Sequence, residues 1–370
     1  RNNGVEAVPV EAGELRAKLQ RRLAESRRAA CLYSTGMQAE FGLAAMIFAA
    51  EAEQAKKDEA KKEEPKKGET NKEEPKKEEK PAAPETRLPE EFLGQMIKEV
   101  VMHEVGHSLG LRHNFKASTM LNADQLNDVN ITRTKGMVGS VMDYAPVNFA
   151  PKGQKQGDYV TTTLGPYDYW VIEYAYKEVM GDEAGELKKI AARSPEPDLI
   201  FGSDEDRMIN NDPLANVYDL GSDNCKYGKD RIALIEELLK DLDGKVIKDG
   251  ESWTKLRDGF DLLLGQYGNA TVLISKYIGG QYVVRDHKSG RDPVIPVAGD
   301  KQREALNFLV ENVLSGKSFK FSPALLRRLG AERWMHWGVD FGPSPDININ
   351  DHVLALQGIA LNRCLNASVL

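Results

Sequence analysis

Three of the chain's six histidines fall within one short string, His103-Glu104-Val105-Gly106-His107-Ser108-Leu109-Gly110-Leu111-Arg112-His113. On an α-helix His103 and His107 stand one turn apart on the same face. Glu104 is rotated from His103 by about 100° and so lies beside the pair. A third histidine six residues after His107 would leave that face if the helix ran on. Gly110 tolerates a positive φ, so it lets the chain turn sharply and bring His113 back to the other two. The string therefore demands a helix, an abrupt stop and a return.

Three imidazoles so gathered suit one tetrahedral Zn²⁺ at about 2.0–2.1 Å, with a fourth position open to water, the arrangement of a catalytic rather than a structural site. Glu104 can reach that water without becoming a ligand. A structural zinc would be closed by a fourth protein ligand and would leave Glu104 idle. Five fixed positions, three of them a rare residue, recur by chance in about one in 10⁵ chains of this length.

The sequence around the string predicts a helix entered at Pro89-Glu90-Glu91, where the acids complement the helix dipole. Phe92, Leu93, Met96, Ile97, Val100, Val101 and Leu109 make it apolar around much of its circumference, as expected of a helix threaded through a domain centre. Further on, Ser140-Val141-Met142-Asp143-Tyr144 follows His113 by about thirty residues.

Together these residues resemble the metzincin clan of zinc endopeptidases, which pairs the histidine string with a methionine turn beneath the metal. The resemblance implies that Met142 is the turn methionine and that Tyr144 lies near the zinc and helps stabilise the reaction oxyanion. Gly165, Asp168, Ile172 and Tyr176 resemble a helix of some clan members, with Val171 where Ala is usual. Residues 88 to 176 are similar to large, exported bacterial metzincins, which implies a periplasmic or extracellular protein. The implied fold is α+β and helix-rich. A metzincin normally builds a twisted sheet before its active-site helix, whereas residues 1 to 88 offer a helix and a charged tract. Either the strands lie upstream of Arg1 and the chain is a fragment, which is the favoured reading, or the site is incomplete.

A length of 370 residues allows two to three domains. The pattern divides it into an N-terminal helical segment (1–50), a disordered Lys/Glu/Pro-rich insertion (51–88), a zinc catalytic core (89–180) and a helical C-terminal domain (181–370). The insertion is assigned from near-repeats such as Lys61-Lys62-Glu63-Glu64-Pro65-Lys66-Lys67, which carry almost no apolar surface to offset ordering entropy. A net charge of −7 argues against nucleic acid as a partner. The longest apolar run, Phe41 to Ala50, is about half a bilayer span, so no transmembrane segment is expected. Cys31, Cys225 and Cys364 are too scattered for a disulfide framework or a thiolate site.

Amphipathic helices are expected at 231–241, 253–264, 302–314 and 322–329, and strand around Gly279-Gly280. Acids in a turn-rich stretch, Asp204, Glu205, Asp206, Asp212, Asp219, Asp223 and Asp230, offer a weaker candidate for Ca²⁺, at spacings unlike an EF-hand. His287, His336 and His352 have no partners at ligand spacing, and Trp334 and Trp337 flank His336 in an expected C-terminal helix. The functional expectation is a zinc metalloendopeptidase acting on protein or peptide substrates. The alternatives are an inactive zinc-binding scaffold and a partner-binding module carried by the C-terminal half.

Overall fold

The computed structural model describes residues 33–62, 88–151, 153–209, 212–287, 291–315, 318–330, 332, 346–366 and 369. The chain divides into a unit of Arg1–Gln38 and a unit of Ala39–Leu370. The described part of the second unit is helical. Among the described residues the first helix, α1 (Tyr33–Lys62), precedes the histidine-bearing helix α2 (Glu90–Ser108). A 3₁₀ turn at Ala117–Thr119, α3 (Val129–Lys135), α4 (Pro166–Tyr176), α5 (Glu183–Ala191) and α6 (Asp204–Ile209) come next. Beyond them lie α7 (Asn224–Leu239), α8 (Leu242–Val246), α9 (Thr254–Ser275), α10 (Gly299–Leu309) running into a π-helical turn at Val310–Leu314, α11 (Pro323–Arg328) and α12 (Ile349–Cys364). Two three-residue strands, β1 (Gln281–Val283) and β2 (Val294–Pro296), pair antiparallel with Tyr282 opposite Ile295.

The apolar run in α1 is core. Leu43, Met46 and Ile47 pack with Ile232 and Ile235 of α7, Phe260, Leu263 and Tyr267 of α9, and Leu356 and Ala360 of α12. On its other flank, Phe41 and Phe48 meet Phe92 edge-to-face at centroid distances of 5.6 and 5.4 Å. Tyr159 closes this cluster at 5.6 Å from Phe48 and 5.3 Å from Phe92, a geometry that the ring quadrupoles favour. Helix α2 is thus anchored at its N-terminal end by α1.

Glu40 is the polar tie beside this core. Its buried carboxylate accepts from Arg231 at 2.9 Å, from Gln266 at 2.9 Å and from the Val147 N–H at 3.1 Å. Arg231 also donates to the Tyr227 hydroxyl at 2.7 Å. Each buried charge here is paired and hydrogen-bonded, as burial requires.

Several expectations are corrected. Helix α1 runs to Lys62, so the boundary expected at residue 51 falls later: Glu51 to Lys62 is Ala, Glu, Gln, Lys and Asp, mostly strong helix formers, and the first proline is Pro65. Residues 63–87, the rest of that tract, lie outside the described residues, as do 1–32, Cys31, His336 and the flanking Trp334 and Trp337. A short helix, α3, precedes the turn at Met142. Helix α9 continues eleven residues beyond Leu264, where Tyr267, Ala270 and Ile274 keep the apolar face buried. Helix α2 is not buried all round. Leu93, Ile97, Val101, Val105 and Leu109 line an outer, exposed face, and Ile97 is 66% exposed. Among the described residues no strand precedes this helix.

Replacing Glu40 with Ala would strand Arg231, Gln266 and Val147 N as buried donors. The expected cost is about 3–5 kcal/mol in urea unfolding; a loss under about 1 kcal/mol would show that the tie does not hold α1 in place.

Candidate metal centre

Helix α2 stops where the sequence requires. Gly110 takes φ +82°, Gly110 N–H donates to the His107 carbonyl at 2.9 Å and Leu111 N–H donates to the Gly106 carbonyl at 3.1 Å. These two bonds form a Schellman motif, which satisfies the helix's last carbonyls while reversing the chain. His113 thereby returns to the helix. One ring nitrogen from each of His103, His107 and His113 lies within 4.8 Å of the others, the single group of at least three metal-capable side chains so placed among the described residues.

The second nitrogen of each ring decides what the first can do. His103 Nδ1 donates to the Val141 carbonyl at 2.7 Å and His107 Nδ1 to the Leu111 carbonyl at 3.0 Å. His113 Nδ1 donates to the Asp204 carboxylate at 3.1 and 3.2 Å. All three partners are acceptors only, so each Nδ1 carries the hydrogen and each neutral ring presents an Nε2 lone pair. His107 Nε2 and His113 Nε2 face each other at 3.1 Å. Two lone pairs at that separation repel unless a cation or proton lies between them. Two nitrogens bound to one tetrahedral zinc stand roughly 3.3 Å apart, so the pair is already close to that spacing. Burial pushes the His103 pKa down to about 4, with the neighbouring His107 and His113 adding to the shift and the bond to Val141 opposing it. His113 is lowered as well, mainly by burial, against the pull of Asp204. Burial thus favours the neutral form of His103 and His113, the form that metal binding requires.

Beneath them lies the methionine turn. Met142 is fully buried, and a Cβ at Gly106 would overlap its Sδ. Gly106 is therefore fixed by its approach to the turn, a constraint that the histidine spacing does not reveal. The Met142 carbonyl accepts from Asn114 N at 2.9 Å, so the turn holds the chain after His113 as well as His103. Asp168 holds the turn: its carboxylate accepts from Ser140 Oγ at 2.6 Å, Val141 N at 3.0 Å and Gly165 N at 2.8 Å. At the far end of the same helix, the Tyr176 hydroxyl donates to the Leu109 carbonyl at 2.8 Å, beside the stop of α2. Glu104 is exposed at the edge of the histidine face. The buried Tyr144 ring lies 4.8 Å from His113 and 5.5 Å from His103, centroid to centroid.

The acids read as a calcium candidate are committed to protein partners instead. Asp204 holds His113, Glu205 pairs with Arg112 and Arg285, and Asp206 with Arg285. Asp212 pairs with buried Lys116 at 2.6 Å, Asp223 with Lys301 and Asp230 with Lys226. Asp219 accepts from Ser118 Oγ and Asn224 Nδ2. His287 is exposed and His352 lies 3.5 Å from Asp261, and neither belongs to the three-histidine group.

Gly106→Ala and Gly94→Ala lie on the same helix and should shift stability in opposite directions. Gly94 has open space and should gain about 0.5–1 kcal/mol, whereas Gly106 should lose about 1–3 kcal/mol against Met142. Equal shifts in urea midpoint would remove Met142 as the floor of the site. The turn also adjoins a buried acid pair. Burial pushes Asp143 and Asp219 up, Asp219 to about 7 from an ordinary 3.8, and the charge of Asp219 raises Asp143 further. The folded chain thus keeps a proton that the unfolded chain has released, so this pair's contribution to stability is full below the ordinary carboxylate range and is lost as pH rises through about 7. Asp219→Asn should flatten that loss, measured as the change in Tm between about pH 5 and about pH 7.5; an unchanged slope would contradict it.

No curated protein and no solved structure matches the chain. The model of one protein family, described as Met-zincin, matches residues 85–370. That span takes in α2, the methionine turn, Asp204 and the C-terminal helices, and the chain belongs to the Met-zincin family.

Proposed function

We propose that this chain is a zinc-dependent endopeptidase, with His103, His107 and His113 as the metal ligands and Glu104 as general base. The observation that carries the proposal is the state of the three rings: every Nδ1 proton is given to an acceptor, and the Nε2 lone pairs converge with Glu104 at their edge. When bound, zinc supplies Lewis acidity that polarises a scissile carbonyl and makes water a nucleophile near neutral pH. Glu104 takes the proton of the attacking water and passes it to the leaving amine. Exposure of Glu104 suits this duty, since substrate and water must both reach it. Tyr144, packed against two ligand rings, is assigned to donate toward the developing oxyanion, a role worth about 3 kcal/mol where such donors have been removed.

The substrate is a protein or peptide. Among the described residues no helix is long and apolar enough to cross a membrane. Action in the periplasm or outside the cell, and kinship with large exported bacterial metzincins, rest on the sequence resemblance and belong to the same reading.

The test is Glu104→Gln in the full chain. Zinc content should stay at the wild-type ratio while chelator-sensitive cleavage of a peptide library falls by about 10²–10⁴-fold. A Gln variant that cleaves at the wild-type rate would overturn the mechanism. A wild-type chain that binds zinc and cleaves nothing in the library would favour the inactive scaffold.

A further inference from the structure

Two of the three ligand histidines are oriented by main-chain carbonyls, those of Val141 and Leu111. The third, His113, is oriented by a side chain, Asp204, from ninety-one residues downstream. The chain that carries Asp204 is fastened to the chain that carries His113. Phe115 N donates to the Gly202 carbonyl at 2.6 Å, Gly202 N to Asn114 Oδ1 at 3.2 Å, and Asn114 Nδ2 to the Ile200 carbonyl at 3.0 Å. On the other side of His113, Arg112 grips Glu205 with two bonds of 2.6 and 3.2 Å. Arg285, just beyond β1, binds both Glu205 and Asp206 and lies over the Phe201 ring at 5.1 Å. Asp204 is therefore set against the ring by bonds on both flanks, and its position does not depend on its own contact with His113.

We propose that Asp204 is a positioning residue for the metal centre, and that the segment Ile200–Asp206 completes that centre from the C-terminal half of the chain. The proposal rests on the zinc reading above. A carboxylate on the far nitrogen of a ligand histidine fixes the tautomer, orients the ring and raises its basicity toward the metal. Asp204 also places a negative charge behind a centre whose three ligands are neutral. The second nitrogens of His103 and His107 meet neutral carbonyls, so the effect is confined to His113. It also ties the C-terminal half to the metal: Arg285 holds Glu205 and Asp206, which flank Asp204, and Asp204 touches the third ligand.

The experiment compares the full wild-type chain with Asp204→Ala and Asp204→Asn. Zinc affinity is read by competition with a chromophoric chelator, and the visible spectrum of the cobalt-substituted protein reports ligand geometry. Thermal unfolding of the metal-free proteins reports the fold. Asp204→Ala should weaken zinc by about 10–100-fold and shift the cobalt bands, with the metal-free Tm little changed. Asp204→Asn keeps an oxygen to accept the Nδ1 proton, so it should recover most of the affinity and the wild-type band positions. An Ala variant with wild-type affinity and spectrum overturns the proposal. So does an Asn variant as weak as Ala with an equal fall in metal-free Tm, which would make Asp204 a fold residue only. A wild-type chain that takes up no zinc overturns the metal reading itself, and this proposal with it.

Discussion

Val141 donates its N–H to Asp168 and accepts the His103 Nδ1 proton on its carbonyl, so one peptide unit on each side of this residue links a buried carboxylate to a candidate metal ligand. The rest of the site depends on that link. Asp168 caps its own helix through Gly165 and fixes Ser140, which in turn accepts from Met142 N. Met142 fills the space that Gly106 leaves on α2, and its carbonyl holds Asn114 beside His113. The methionine turn thus sets the position of His103 and His113, which are ten residues apart and on opposite sides of the helix stop. Burial raises the pKa of Asp168 against its hydrogen bonds to Ser140, Val141 and Gly165. The three donors that hold its charge are the ones that build the turn.

The electrostatics of the histidine cluster run toward a cation. Lone pairs face one another across 3.1 Å between His107 and His113, and burial opposes relief by a proton at His113. A cation bound there removes a repulsion that folding has already imposed, so metal affinity and folding free energy are linked. Asp204 and the exposed Glu104 place carboxylates around a cluster that has no thiolate, and nitrogen and oxygen donors of this kind suit zinc.

The histidine string was legible because its geometry is local: helical periodicity fixes His103, Glu104 and His107, and the positive φ of Gly110 returns His113. Met142 was legible by resemblance. Gly106, within the string, carried no visible reason, since its constraint is the sulfur of a residue thirty-six positions away. Asp204 was read as one of several acids in a turn-rich stretch, and only the pairing of its segment with Asn114 and Phe115 distinguishes it. The same stretch suggested calcium because composition shows charges without their partners, and here Arg112, Lys116, Arg285, Lys301 and Lys226 are among those partners. Helix α1 outran its expected end because a charged tract with little apolar surface is also a good helix former until its first proline. Helix α2 is apolar around much of its circumference in sequence, yet its Ile97 and Val101 face is exposed, because composition does not say whether a covering layer exists.

The central claim is that three neutral imidazoles hold one zinc with a position left open beside Glu104. X-ray absorption at the zinc edge of the purified chain tests it most directly, together with metal content. The account predicts one zinc per chain, three imidazole nitrogens at about 2.0–2.1 Å and one light-atom donor from solvent. A sulfur donor in the shell, a fourth imidazole, or zinc bound without histidine scattering would contradict it.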